Sequence, residues 1–87
     1  MNIRVFGPGC ANCRRLEATA REALDALGYA YELTKVEALP DITAAGVLRT
    51  PALEIDGRLV LQGRVPGITE LRHIFEKAAA AGPAPTA

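Results

Sequence analysis

Two cysteines three positions apart are the residues of this chain with the clearest capacity for chemistry. Cys10 and Cys13 are the only cysteines among its 87 residues. A disulfide across so short a loop would restrain little of the unfolded chain, so a structural role alone explains the pair poorly. The same spacing occurs in dithiols that exchange disulfides and in metal-ligating pairs. Redox exchange, metal binding and an inert pair are therefore the interpretations to separate.

The surroundings of the pair favour redox exchange. A β-prone run, Ile3–Phe6, ends at a Gly-Pro-Gly turn, and helical periodicity follows from Cys10 onward. The free N–H groups and the positive dipole end of a helix start stabilise a thiolate. Cys10 is therefore expected to have a lowered pKa and to attack disulfides. Cys13 lies one turn later on the apolar stripe, so it is expected to be more buried and to act as the resolving thiol.

Metal binding lacks the remaining ligands. Two thiolates supply half of a tetrahedral zinc site, which needs four ligands. His73 is the only histidine, and its place between apolar positions of the last helical segment predicts a surface or half-buried helical residue. The sequence thus predicts no metal and no cofactor beyond a redox-active Cys10–Cys13 disulfide.

Length and composition are those of one small globular domain. The chain is 49% apolar and 23% charged, which excludes a disordered acidic or basic tail protein. Residues 1–80 are predicted to form a single domain. Because helical periodicity is lost after Ala81, residues 81–87 are predicted to be a disordered C-terminal tail.

Charge and hydropathy argue against nucleic-acid and membrane partners. Ten basic residues balance ten acidic ones, and no run of like charge exceeds Arg14-Arg15. No apolar stretch approaches the ~18 residues that span a bilayer. The first six residues lack the features of a secretory signal, so a cytoplasmic location is expected.

Periodicity and turn residues predict seven elements in the order βαβαββα. The predicted bounds are strands at 3–6, 29–36, 52–55 and 58–62 and helices at 11–27, 38–45 and 68–80. Gly28 is expected to end the first helix, and Gly46 with Val47 to end the second in a Schellman motif.

Asp56-Gly57 predicts a two-residue turn between the last two strands. A regular ladder from that turn gives three opposed pairs: Ile55–Arg58, Leu53–Val60 and Ala52–Leu61. Both faces of this hairpin carry apolar residues, which indicates that helices cover both sides of the sheet.

A strand, a CxxC at a helix start and a Thr-Pro step before a hairpin follow one another in this chain. The segments are Phe6-Gly7-Pro8-Gly9-Cys10-Ala11-Asn12-Cys13, Thr50-Pro51, Asp56-Gly57 and Gly63-Arg64-Val65. With these features the chain resembles the small thioredoxin-like redox-active disulfide proteins of bacteria and archaea, over about residues 2–78. The resemblance implies an α/β minimal thioredoxin fold: a four-stranded mixed sheet in strand order 2-1-3-4, with helices on both faces. The third strand would run antiparallel to the first, and the second helix would lie alone on one face.

The resemblance also implies an activity, thiol–disulfide oxidoreduction. The substrates would be disulfide-bearing proteins or low-molecular-weight thiols and disulfides, with an unidentified reductase to recharge the pair. A cis Thr50–Pro51 bond would lie against the cysteines, and the N–H and C=O of Thr50 would pair with an extended substrate chain. The substrate groove predicted in this way is lined by Gly9, Ala11, Asn12, Thr50, Pro51 and Gly63. Gly63 fits a strand-ending turn equally well.

Two residues depart from the pattern of many thioredoxins. Gly9 stands where a tryptophan often precedes the first cysteine, so that aromatic partner surface is missing. Arg4 stands where an acidic residue is often held six positions before that cysteine. Bulk water is therefore the expected acceptor for the proton of Cys13.

Two other functions remain open from the sequence. Heavy-metal-associated domains, which would make this a copper or zinc carrier, also place a CxxC at a helix start after the first strand. Their order βαββαβ predicts a strand near 68–76, where the spacing of apolar residues in this chain is helical. A thioredoxin-fold adaptor would bind partners through the groove without turnover, and would bind them without its cysteines.

Overall fold

Seven elements follow one another in the computed structural model, which describes residues 1–81. They are β1 (Asn2–Phe6), α1 (Ala11–Leu27), β2 (Glu32–Val36), α2 (Leu39–Ala44), β3 (Ala52–Ile55), β4 (Arg58–Gln62) and α3 (Ile68–Ala81). The order βαβαββα predicted from the sequence is confirmed. The predicted disordered tail falls outside the described residues except for Ala81, which is the last residue of α3.

The four strands form one mixed sheet in the order β2-β1-β3-β4. β1 pairs in parallel with β2 and antiparallel with β3, and β3 pairs antiparallel with β4. The topology implied by the resemblance is therefore confirmed. At one end of the sheet Phe6 is aligned with Val36 and with Ala52, and Ala52 is aligned with Gln62.

Apolar residues cover both faces of the sheet, and helices pack on each. On one face the strands pack against α1 and α3 around a core of Ile3, Val5, Leu16, Ala20, Ala23, Leu24, Leu53, Ile55, Leu61, Leu71 and Phe75. On the other face a smaller core contains Phe6, Ile42, Val47 and Ala52. Because Ile42 belongs to α2 and the other two helices contribute nothing to this second core, α2 lies alone on its face, as expected.

Local capping signals end the first two helices where the sequence predicts. Gly28 has φ of 72° and closes α1, with its N–H bonded to the last turn. After α2, the Gly46 N–H donates to Thr43 O and the Val47 N–H to Ile42 O, which is the Schellman pattern. The predicted α2 bounds, 38 and 45, are its two capping residues.

β2 is shorter than predicted, because it begins at Glu32 and not at residue 29. The chain leaves α1 through a bond from the Tyr29 N–H to Leu24 O and needs the next residues to return to the sheet. β1 begins at Asn2, whose partner is Glu32, so the strand ladder does not include residues 29–31. Before that pair, the amino group of Met1 donates to Ala30 O at 3.4 Å. The alternation of aromatic residues over 29–31 reflects their packing against the core.

The β3–β4 hairpin contains a bulge that the sequence analysis did not predict. Asp56 and Gly57 both have positive φ, as a two-residue hairpin turn requires, and the pair Ile55–Arg58 is confirmed. The register then shifts, so the predicted pairs Leu53–Val60 and Ala52–Leu61 are wrong. The observed pairs beyond the turn are Glu54–Leu59, Leu53–Leu61 and Ala52–Gln62.

The bulge has a physical reason in the sequence of β4. Leu59 and Leu61 would share one face of a regular strand, because side chains alternate with a period of two. An extra residue at Val60 puts Leu61 in the core beneath α1 and α3 while Leu59 packs against the core beneath α2. Each leucine thereby packs against a hydrophobic core, and Val60 is left 37% exposed.

No helix within residues 1–81 combines the length and the apolar character needed to cross a lipid bilayer.

Leu53→Ala is expected to lower the free energy of unfolding by about 2–5 kcal/mol, because it leaves a cavity at a side chain that is 0% exposed. Leu48→Ala is the matched control, since the same atoms are removed from a residue that is 88% exposed, and its effect should stay within about 0.5 kcal/mol. Urea unfolding followed by circular dichroism measures both. Equal losses would contradict the assignment of the core.

Candidate active site

The predicted site residues gather at one end of the sheet. β1, β2 and β4 end there and β3 begins there, because Phe6, Val36, Ala52 and Gln62 are aligned across the four strands. The segments that adjoin these strand ends carry the residues singled out from the sequence: Gly9 and Cys10 in the loop after β1, Ala11, Asn12 and Cys13 in the first turn of α1, Thr50 and Pro51 before β3, and Gly63 after β4. Residues from three separate segments are thus brought to one end of the sheet.

Cys10 is the N-cap of α1. Its backbone is extended, with φ of −68° and ψ of 168°, and its carbonyl accepts the first helical hydrogen bond, from the Arg14 N–H at 3.0 Å. Its Sγ accepts a hydrogen bond from the Cys13 N–H at 3.3 Å. The Cys10 side chain is exposed. An accessible sulfur thus receives the backbone donor that a helix start otherwise leaves free.

Cys13 lies one helical turn inside α1 and is only 5% exposed. It shares the buried stripe of α1 with Leu16 and Ala20, as the spacing predicts. Both cysteines are free thiols, and their Sγ atoms are 2.6 Å apart. Little movement separates this arrangement from a disulfide.

The two thiols have opposite pKa shifts. The pKa of Cys10 is lowered, first by the hydrogen bond from the Cys13 thiol and then by the backbone N–H groups of Cys13 and Asn12. Burial raises the pKa of Cys13, and its hydrogen bond to Cys10 raises that pKa further. Cys10 therefore ionises before Cys13, which is the order expected from their places in the helix.

Gly7 is a site residue that the sequence analysis did not single out. It is buried, and its N–H donates to Val36 O at 3.0 Å. A Cβ at Gly7 would overlap the sulfur of Cys13, and it would stand 3.8 Å from the Cβ of Thr50. The bare backbone of Gly7 thus fills the space between Cys13 and the Thr-Pro step. The sequence shows only a glycine within a turn, which carries no such information.

The Thr50–Pro51 peptide bond is cis, as the resemblance implied. Thr50 is exposed, whereas Pro51 is buried and leads directly into β3 at Ala52. Since Cys13 and Thr50 both lie beside Gly7, the Thr-Pro step stands next to the cysteine pair.

Gly63 combines a strand-ending turn with a close contact. Its φ is 75°, and its N–H donates to Pro51 O at 2.8 Å. A Cβ there would stand 3.1 Å from the Cδ of Arg49. The stem of Arg49, which the sequence analysis did not consider, therefore lies over Gly63. The part of Gly63 in a substrate groove stays a prediction.

The other residues predicted to line the groove are neighbours of Cys10 in sequence. Ala11 and Asn12 are exposed in the first turn of α1. Gly9 has φ of 87°, a conformation that favours glycine, and a Cβ there would lie 3.7 Å from Oε2 of Glu37.

Charged side chains flank Cys13, which bears on the expected proton acceptor. A small cavity of about 10 Å³ is lined by Val5, Gly7, Gly9, Cys13, Arg14, Glu17, Lys35 and Glu37. Within it the Lys35 Nζ lies 3.5 Å from Glu17 Oε1 and 3.7 Å from Glu37 Oε1. The carboxylates of Glu17 and Glu37 thus line the same cavity as Cys13, which the sequence analysis did not predict.

Arg4 has a separate role on the opposite face of the sheet. Its Nε is 3.4 Å from Glu54 Oε1, and its guanidinium lies 4.8 Å from the centre of the Phe6 ring. Phe6 belongs to the core beneath α2. This cation is therefore separated by the sheet from the helix that carries the cysteines.

The architecture contradicts the heavy-metal-associated alternative. Its order requires a strand near 68–76, and those residues lie in α3. His73 is exposed on α3. Within the described range, 1–81, no three side chains of His, Cys, Asp or Glu are grouped as metal ligands.

Known proteins share this sequence pattern. The profile of the thioredoxin domain family matches residues 1–76, a range that contains the cysteine pair, Thr50–Pro51 and Gly63. The chain is 42% identical over 75 residues to a protein of Methanothermobacter thermautotrophicus named thioredoxin, covering 86% of this chain and 97% of that one. It is 33% identical over 71 residues to a thioredoxin of Methanocaldococcus jannaschii, covering 82% of this chain and 81% of that one.

In the reduced protein, iodoacetamide is expected to react at Cys10. The pH dependence of that reaction should give a lower pKa for the Cys10 thiol than the same thiol has in the unfolded chain. Cys13→Ala should raise that pKa towards the unfolded value, because the thiol donor is lost while the backbone donors remain. The pH dependence of the alkylation rate, with the site identified by peptide mapping, measures both. A profile unchanged by unfolding in guanidinium chloride would contradict the prediction.

Gly7→Ala is expected to displace the Cys13 sulfur, to slow closure of the disulfide and to cost about 1–3 kcal/mol of stability, as overpacking does. Gly67→Ala is the control, because a Cβ there meets nothing within 4 Å. Oxidation by glutathione disulfide and urea unfolding give the two quantities. Similar behaviour of the two variants would show that the contact with Cys13 is unimportant.

Proposed function

Since this chain belongs to the thioredoxin domain family and is a thiol–disulfide oxidoreductase, we propose that it exchanges disulfides through Cys10 as the attacking thiolate and Cys13 as the resolving thiol. One observation carries this proposal: the exposed Cys10 sulfur sits at the start of α1 only 2.6 Å from the buried sulfur of Cys13. Its substrates are disulfides of proteins or of small molecules, and a separate reductase returns the pair to the dithiol form.

The first step is attack by Cys10. Its thiolate bonds to one sulfur of the substrate disulfide, the substrate S–S bond breaks, and the other substrate sulfur leaves as a thiolate that takes a proton from water. The product is a mixed disulfide between Cys10 and the substrate. The exposure and the lowered pKa of Cys10 both support this role.

The second step is resolution by Cys13. It loses its proton and attacks Cys10 Sγ, so that the Cys10–Cys13 disulfide forms and the second substrate sulfur is released. Two electrons have then passed from the dithiol to the substrate, and the sulfurs themselves carry them. The raised pKa of Cys13 keeps it protonated until the mixed disulfide stands beside it. The cavity beside Glu17 and Glu37 offers a route for the proton to leave.

The groove positions a protein substrate by its backbone. Thr50 is exposed next to the cysteine pair, so its N–H and C=O can pair with an extended chain that brings its disulfide to Cys10. Gly9 and Ala11 leave room for that chain, because neither has a side chain beyond Cβ, and Asn12 is exposed beside them. At Gly63 the stem of Arg49 lies over the glycine, so the chain would pass over Arg49 there. Pro51 is buried directly before β3 and lies beneath this surface.

Cys13→Ser is expected to accumulate a mixed disulfide through Cys10 when the protein meets a disulfide substrate, because the resolving thiol is absent. Cys10→Ser is the matched control and should accumulate far less, since Cys13 is only 5% exposed. Non-reducing electrophoresis and mass spectrometry with a disulfide-linked peptide dimer measure the adducts. Preferential trapping by Cys10→Ser would reverse the roles, and trapping by neither variant would refute the exchange mechanism.

A further inference from the structure

The loop before the Thr-Pro step is held by one side chain of the edge strand. Residues 48–50 are exposed between buried neighbours, and Leu48 is exposed by 88%. The carboxamide Oε1 of Gln62 accepts two hydrogen bonds from this loop, from the Leu48 N–H at 2.7 Å and from the Arg49 N–H at 3.2 Å. These are side chain to backbone bonds across 14 and 13 positions of sequence, so they fix the loop against β4.

The bulge in β4 places Gln62 within reach of this loop. Gln62 is the partner of Ala52, and directly opposed residues of an antiparallel pair point to the same face. That face is the α2 side, where Ala52 packs with Val47, the residue that precedes the loop. In a regular ladder Gln62 would lie opposite residue 51 and point to the other face, away from the loop.

We propose that Gln62 is a positioning residue for substrate binding, which holds residues 48–50 so that the Thr50 backbone meets an extended substrate chain. The inference rests on the proposed function. It adds that the Gln62 carboxamide holds the loop that presents the Thr50 backbone to the substrate. Gln62 fixes the backbone before Thr50, and the bond from the Gly63 N–H to Pro51 O at 2.8 Å fixes the backbone after it. Thr50 is thus clamped from both sides while its own side chain stays exposed.

This arrangement separates binding from thiol chemistry. Gln62 is uncharged, and its hydrogen bonds go to the loop and not to the cysteines. Its loss should therefore leave the pKa of Cys10 unchanged. We call the two hydrogen bonds from the Leu48 and Arg49 N–H groups to Gln62 the clamp. A substrate chain that pairs with Thr50 needs the clamp, whereas a small disulfide needs only access to the Cys10 sulfur. The effect of the clamp should therefore appear in the KM for an extended peptide.

Gln62→Leu removes the acceptor and tests the proposal. With excess dithiothreitol as reductant, the KM for a disulfide-linked peptide dimer should rise about five-fold or more, the effect of losing one or two net hydrogen bonds. The kcat for that peptide, and both constants for bis(2-hydroxyethyl) disulfide, should change little. Gln62→Glu keeps an acceptor oxygen at the same distance from the backbone. Its KM for the peptide should therefore stay close to that of the wild type.

Each outcome of these assays has a distinct meaning. An unchanged peptide KM in Gln62→Leu, with a wild type that reduces both substrates, overturns the inference and leaves the proposed function standing. An equal loss with both substrates also overturns it, because the residue would then act on the thiols or on folding. A wild type that reduces neither substrate overturns the proposed function, and the inference with it.

Amide hydrogen exchange tests the clamp on the wild-type protein, even where a variant fails to fold. The Leu48 and Arg49 amides should exchange about ten-fold more slowly than the amide of Thr50, although all three residues are exposed. The Thr50 N–H has no hydrogen-bond acceptor among residues 1–81. Equal exchange at the three amides would overturn the inference.

Discussion

The hydrogen bond from the Cys13 N–H to the Cys10 sulfur is the interaction on which the site depends. Helix N-caps are most often Ser, Thr, Asp or Asn, whose oxygen accepts a backbone N–H two or three positions later. Here a sulfur occupies that place, and it becomes a stronger acceptor as a thiolate. The interaction that starts α1 therefore also stabilises the ionised form of Cys10 and, after the hydrogen bond from the Cys13 thiol, lowers its pKa. Helix capping and this part of the lowered pKa have the same cause at this residue.

The rest of the architecture serves to keep a second sulfur beside the first. Cys13 lies on the same buried stripe of α1 as Leu16 and Ala20, and these two residues pack against the sheet. Gly7 supplies a backbone without a side chain, and a Cβ at that position would overlap the Cys13 sulfur. The difference in exposure between Cys10 and Cys13 follows from these contacts. Burial raises the pKa of Cys13, whereas the hydrogen bonds from the Cys13 thiol and backbone N–H lower the pKa of Cys10.

Features governed by neighbours in sequence were predictable from the residues. The order of the strands was predictable only from the resemblance to a known family, and individual contacts between distant residues were not predictable. The bounds of α1, the Schellman end of α2 and the Asp56-Gly57 turn depend on a few consecutive residues, and all three are confirmed. The bulge in β4 depends on two cores that lie on opposite faces of a sheet. The role of Gly7, and the bonds from the loop to Gln62, join residues from different elements. A single sequence gives no register for such contacts, because it does not say which strand ends meet.

The bulge has a consequence beyond the site. β4 is at the edge of the sheet, and a regular edge strand presents a row of backbone donors and acceptors that another chain can extend. The extra residue at Val60 interrupts that row and increases the local twist. The device that divides Leu59 and Leu61 between two cores thus also disfavours edge-to-edge aggregation and the growth of fibrils from this strand.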